Sequence, residues 1–204
     1  MKKQMSNARG SSIHLFSGIV KENHGKMASL GLQMERLKEK LTRTKGEDES
    51  NLLEQEINSL QDDLAKSSSI VIVFSAMAIE AYIYDYAARH FGDNFVKDNL
   101  DKLDTISKWI VIPKLITGRD LPRQQKWFEL LKNLIKARNL IIHYKTSDGP
   151  TASTDLKQYL KKVDAKSKFF HETARQSIGL LGILADKIAE IDPEETPWVQ
   201  SYLT

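Results

Sequence analysis

Apolar residues recur every three or four positions over most of this chain, and nowhere does the two-residue alternation of a strand persist. Met27, Leu30, Met34, Leu37 and Leu41 follow the three-four spacing of a heptad seam. Gly46-Glu47-Asp48-Glu49-Ser50 interrupts that seam with turn chemistry, and Leu53, Ile57, Leu60 and Leu64 resume it. Two seams of similar length across a short polar break predict an antiparallel helical hairpin. The same spacing also serves self-association. The chain is expected to be all-α.

Beyond the hairpin the sequence predicts a bundle. Ser67 to Phe74 is dense in β-branched residues, but Ala76-Met77-Ala78-Ile79-Glu80-Ala81-Tyr82 continues it as a helix apolar on most sides, one for the centre of a bundle. Gly92-Asp93-Asn94 ends it. Asp104 to Ile116 reads as a short helix with Ile106, Trp109, Ile110 and Ile112 inward and a bend at Pro113. Gly118 and Pro122 bracket a turn, a further helix follows from Trp127, and Gly149-Pro150 stops it. Ser153 or Thr154 is the expected N-cap of a last helix whose stripe runs from Leu156 through Leu160, Val163, Phe170, Ala174, Ile178, Leu181, Leu184 and Ile188 to Ile191. The expected organisation is a mobile arm or short helix over 1–25, a coiled-coil-like helical hairpin over 26–66, a helical bundle over 67–191 and a tail over 192–204.

With 41% hydrophobic and 28% charged residues, the 204-residue chain has material for a core. It has no cysteine, which removes disulfides, thiol nucleophiles and cysteine zinc sites and fits a reducing cytoplasm. Met1 to Gly10 lacks the apolar core of a signal peptide, and Ser75, Glu80 and Asp85 break the longest apolar stretch, so no membrane span is expected. The five histidines form no His-x-x-x-His or Glu-x-x-His pair, so no metal site is expected. Phosphate-binding glycine loops and serine nucleophile elbows are absent, and no cofactor is expected.

One segment stands apart. Residues 121–146 carry six basic side chains against Glu129 alone, a local net charge of +5 in a chain of total +3. Local charge of that sign attracts polyanions. Within it, Arg138-Asn139-Leu140-Ile141-Ile142-His143 closes an otherwise apolar helix. A histidine exchanges protons near neutrality, and a guanidinium forks onto phosphate oxygens. Asn139, one turn before His143, is placed to orient the ring or a ligand. Arg138 and His143 lie about 140° apart around the axis at about 100° per residue, so they flank a surface. The same residues also fit a surface arginine and a histidine capping the helix C-terminus.

Arg138-Asn139 followed by His143, near the end of an apolar helix in an all-α chain, resembles the signature of the HEPN superfamily (higher eukaryotes and prokaryotes nucleotide-binding). Phe74 to Tyr82, with its acid Glu80 inside a buried helix, is also similar to that family. The resemblance covers roughly residues 67–191 and implies a core of four to five helices. It further implies a metal-independent ribonuclease whose site is completed in a homodimer, with Arg138, Asn139 and His143 catalytic. Glu80 would support Arg138 by pairing with it, since unpaired charges are rarely buried. Lys132, Lys136 and Lys145 would follow the RNA backbone. Such proteins are often toxins or phage-defence effectors, and some pair with a nucleotidyltransferase-type antitoxin. Others have lost catalysis and bind RNA or protein, so a helical interaction module is the competing expectation.

Overall fold

The computed structural model describes residues 7–143 and 155–197, and among these every regular element is helical. Helices α1 (Asn7–Arg43) and α2 (Glu47–Phe91) form the hairpin. At about 1.5 Å per residue they run roughly 55 and 67 Å. The turn is shorter than its polar sequence suggests. Glu47, Asp48 and Glu49 form the first turn of α2, where acids favour the positive end of the helix dipole. Lys40, in the last turn of α1, reaches across to Glu49 at 3.1 Å.

The expected boundaries at 25 and 66 do not mark structural breaks. From Asn7 onward the expected arm is the beginning of α1, and Ile13, Val20 and Met27 join the main core. Helix α1 packs chiefly on α2. Position 66 falls inside α2. Met34, Leu53 and Ile57 are buried in the distal part of the hairpin, apart from the main core cluster.

The second half of α2 is the axle of the bundle. Helices α1, α4 (Thr105–Thr117), α5 (Lys126–Ile142), α6 (Leu156–Ser177) and α7 (Leu180–Ile191) all pack on it. Ile72, Ile79, Tyr82, Ile83 and Tyr86 are fully buried there, each aliphatic side chain contributing about 1.5–3 kcal/mol by leaving water. Trp109 of α4 stacks on Tyr82 with ring centroids 5.9 Å apart. The apolar stretch of α2 is long enough to cross a membrane by composition, yet 56% of it is buried inside the bundle.

Between α2 and α4, a short helix α3 (Asp93–Phe95) runs into a π-helical turn at Val96–Leu100. Asp104 caps α4, its carboxylate accepting from the Ser107 N–H at 3.1 Å, and the Ser107 hydroxyl together with that bond holds its pKa below the usual carboxylate value. Trp109 and Ile112 point inward as expected, and α4 continues through Pro113 to Gly118.

The single last helix expected from the stripe is two helices. Gly179 takes the left-handed conformation at φ 76°, which a side chain disfavours, and this ends α6 and starts α7. The N-cap of α6 is Asp155, which accepts from the N–H groups of Lys157 and Gln158, rather than Ser153 or Thr154. Only the second part of the stripe is inward. Ala174, Leu184 and Ile188 are fully buried, whereas Leu156, Leu160 and Val163 are exposed.

Candidate functional site

Helix α5 is positioned by Trp127, Leu131, Leu134 and Ala137, the buried face that seats it against α2 and its neighbours. The opposite face carries the basic residues. The helix ends at Ile142, and His143 is its C-cap, with its N–H donating to the Asn139 carbonyl at 2.9 Å. The backbone then leaves the helix at φ −98°, ψ 36°, and the imidazole is exposed at the negative end of the helix.

Arg138 is half-buried, and its Nη1 donates to Asn139 Oδ1 at 3.0 Å. The asparagine amide therefore orients the arginine, a role the sequence spacing had given it toward the histidine. Asn139 and His143 are both exposed, so the three polar groups share the accessible end of α5. Leu140 and Ile142 there are also exposed, at 41% and 48%.

Two of the three lysines expected to follow a backbone already touch aromatic rings. Lys132 Nζ lies 5.4 Å from the Phe128 ring centroid, on the same helix. Lys136 Nζ lies 5.5 Å from Phe169 of α6, tying the two helices together. Both side chains remain exposed. Lys145 lies outside the described residues.

The expected pairing of Glu80 with Arg138 is not found. Glu80 Oε1 accepts from Lys108 Nζ of α4 at 2.9 Å, and the same ammonium reaches Asp101 Oδ1 at 3.0 Å. Lys108 is only 2% exposed. Burial opposes its charge, but the bonds to Glu80 and Asp101 outweigh burial and hold it above the ordinary lysine value. The acid inside α2 thus neutralises a buried lysine. Lys108 stands one turn before inward-facing Ile112, and that position was the available signal.

Two further polar clusters escaped the sequence spacing because their members are distant in the chain. His171 Nδ1 of α6 lies 2.7 Å from Ser68 Oγ of α2, and the serine proton goes to the Leu64 carbonyl. Burial lowers the His171 pKa below its ordinary 6.5. In the other cluster, His90 near the end of α2 meets Asp192 and Glu195, which follow α7. The cleft lined by Val20, Ser75, Ile79, Ser177 and Leu181 has no residue of α5 in its wall and plays no part in the motif.

No family model matches this chain, and no curated protein or solved structure is found to be similar to it.

Proposed function

We propose that this chain is a metal-independent RNA endonuclease in which Arg138 and His143 perform the chemistry and Asn139 positions the arginine. The observation that carries the reading is the bond between Arg138 Nη1 and Asn139 Oδ1 at 3.0 Å, on an exposed helix end that also presents His143. The HEPN resemblance gives those residue types their roles.

In this reading the Arg138 guanidinium binds the scissile phosphate and stabilises the added charge of the phosphorane. An imidazole of His143 removes the proton of the ribose 2′-hydroxyl, whose oxygen attacks phosphorus. The bond to the 5′-oxygen breaks, and that oxygen takes up a proton. The products are a 2′,3′-cyclic phosphate and a 5′-hydroxyl. Arg138 and His143 diverge around their own helix, so a second copy of the chain completes the pocket. The exposed apolar side chains of Leu140 and Ile142 beside the polar groups support such a contact. Lys132 and Lys136 contribute phosphate contacts without reading bases. A role as a cytoplasmic toxin or defence effector, held in check by an antitoxin, follows from unrestrained RNA cleavage.

A second reading has its own observation. Leu156, Leu160 and Val163 form an exposed apolar stripe on α6, 58%, 52% and 45% exposed, as a helical module that binds a protein or RNA without chemistry would present. Incubation with bulk RNA in excess chelator separates the readings. Cleavage by wild type that disappears in His143→Ala supports the nuclease. RNA left equally intact by both proteins between about pH 6 and 8, the range in which histidine titrates, leaves the binding module.

A further inference from the structure

The chain after α7 returns to the end of α2 and brings together three metal-ligating side chains from the two regions. We propose that His90, Asp192 and Glu195 form a structural zinc site that fastens the 3-10 turn at Pro193–Glu195 to α2. The donor atoms of the three residues all lie within 4.8 Å of one another. His90 Nε2 is 3.4 Å from Asp192 Oδ2 and 3.8 Å from Glu195 Oε1. Ligands bound tetrahedrally at about 2.1 Å stand roughly 3.4 Å apart, close to the two spacings from His90 Nε2, and the two carboxylate oxygens, within 4.8 Å of each other, close around the ion when it binds.

The atoms facing that point call for a cation. Glu195 is fully buried, and its Oε1 accepts no hydrogen bond. His90 Nε2 is likewise buried without a hydrogen-bond partner. At 3.4 Å and 3.8 Å these contacts are longer than hydrogen bonds, and a buried carboxylate oxygen left unmatched is costly. A metal ion satisfies all three atoms at once.

The surrounding groups act as outer partners that orient the ligands. The Tyr86 hydroxyl donates to Asp192 Oδ2 at 2.9 Å. Arg89 binds Glu195 through Oε2 and also pairs with Asp85, leaving Oε1 directed at the histidine. Ligating carboxylates are commonly held this way. One imidazole with two carboxylates suits zinc. Magnesium and calcium prefer oxygen donors throughout, so the imidazole favours zinc over both. Nothing in the proposed RNA chemistry uses this site, which lies on other elements than α5.

The test uses the full chain, stripped with chelator and titrated with Zn²⁺ near neutral pH, followed by desalting and metal analysis. The expected result is saturable binding of a single zinc per chain, accompanied by a rise in thermal midpoint. His90→Gln should weaken binding by at least about tenfold and abolish the thermal shift, whereas His143→Ala should bind as wild type does. Glu195→Gln removes a ligand while retaining the side-chain shape, and circular dichroism establishes that each variant is folded. Co²⁺ in place of zinc, with water as the fourth ligand, should give the visible bands of a four-coordinate ion, lost in His90→Gln. If zinc is not retained, or if folded His90→Gln binds it as tightly as wild type, the cluster is only an ion-pair network and the proposal is overturned.

Discussion

Lys108 Nζ sits 2.9 Å from Glu80 Oε1, an ion pair that joins α4 to the middle of α2. The ammonium is almost wholly buried, while the two carboxylates it serves keep 38% and 52% of their side-chain surface. Lys108→Ala should therefore lower stability by about 2–3 kcal/mol, somewhat less than for a fully buried pair, because the stranded acids can rehydrate. Glu80→Gln should cost about 1 kcal/mol, since the amide can still accept from Lys108. Denaturant unfolding measures both. RNA cleavage by folded Glu80→Gln should stay within about twofold of wild type, well under a 1 kcal/mol change. A large loss of cleavage would mean that Glu80 acts on Arg138 after all.

The left-handed Gly179 gives a second test. An added Cβ at that position meets no atom within 4 Å, so the cost of Gly179→Ala is backbone strain alone. That cost should be about 1–2 kcal/mol. A neutral or stabilising result would indicate that α6 and α7 run together as one helix, as the apolar stripe alone suggests.

Stability should also carry a pH signature from His171. Burial lowers its folded pKa below the ordinary 6.5, so in acid the unfolded chain binds the proton more readily. The resulting stabilisation of the neutral form is fully present above about pH 6.5 and is lost as pH falls through the lowered folded value. Unfolding free energies of wild type and His171→Asn, measured from neutral pH downward, should converge over that window. Parallel curves would show that His171 titrates alike in both states.

Asn139→Ala should separate orientation from folding. The asparagine is exposed, so stability should change by less than about 0.5 kcal/mol. Loss of the 3.0 Å bond leaves Arg138 free to wander, and cleavage should fall roughly tenfold, the value of one such hydrogen bond. An unchanged rate would remove Asn139 from the site.

Much of this arrangement is legible in the sequence where contacts are local. The seams of α1 and α2, the inward Trp109 and Ile112, and the helical setting of Arg138, Asn139 and His143 all follow from periodicity. What is not legible depends on partners far apart in the chain. Glu80 was expected to be buried and paired with Arg138; it is instead 38% exposed, and the buried charge is its partner Lys108, a choice that periodicity cannot make. His90 and Glu195 are 105 positions apart, so no spacing rule for metal ligands on one helix detects them. The exposed part of the α6 stripe shows the converse, since Leu156, Leu160 and Val163 have helical spacing without a helix among the described residues to cover them. Periodicity reports which face is apolar. It does not report what lies against it.

Cleavage by 2′-hydroxyl attack, assisted by Arg138 and His143, requires a ribose 2′-hydroxyl on the substrate. End-labelled RNA and the same strand with 2′-deoxyribose throughout are incubated with wild type, Arg138→Ala and His143→Ala in excess chelator. Wild type should cut only the RNA, leaving 2′,3′-cyclic phosphate ends, and each folded variant should lose at least about a hundredfold in rate. Cleavage of the deoxy strand, or equal cutting of RNA by wild type and His143→Ala, would contradict this mechanism.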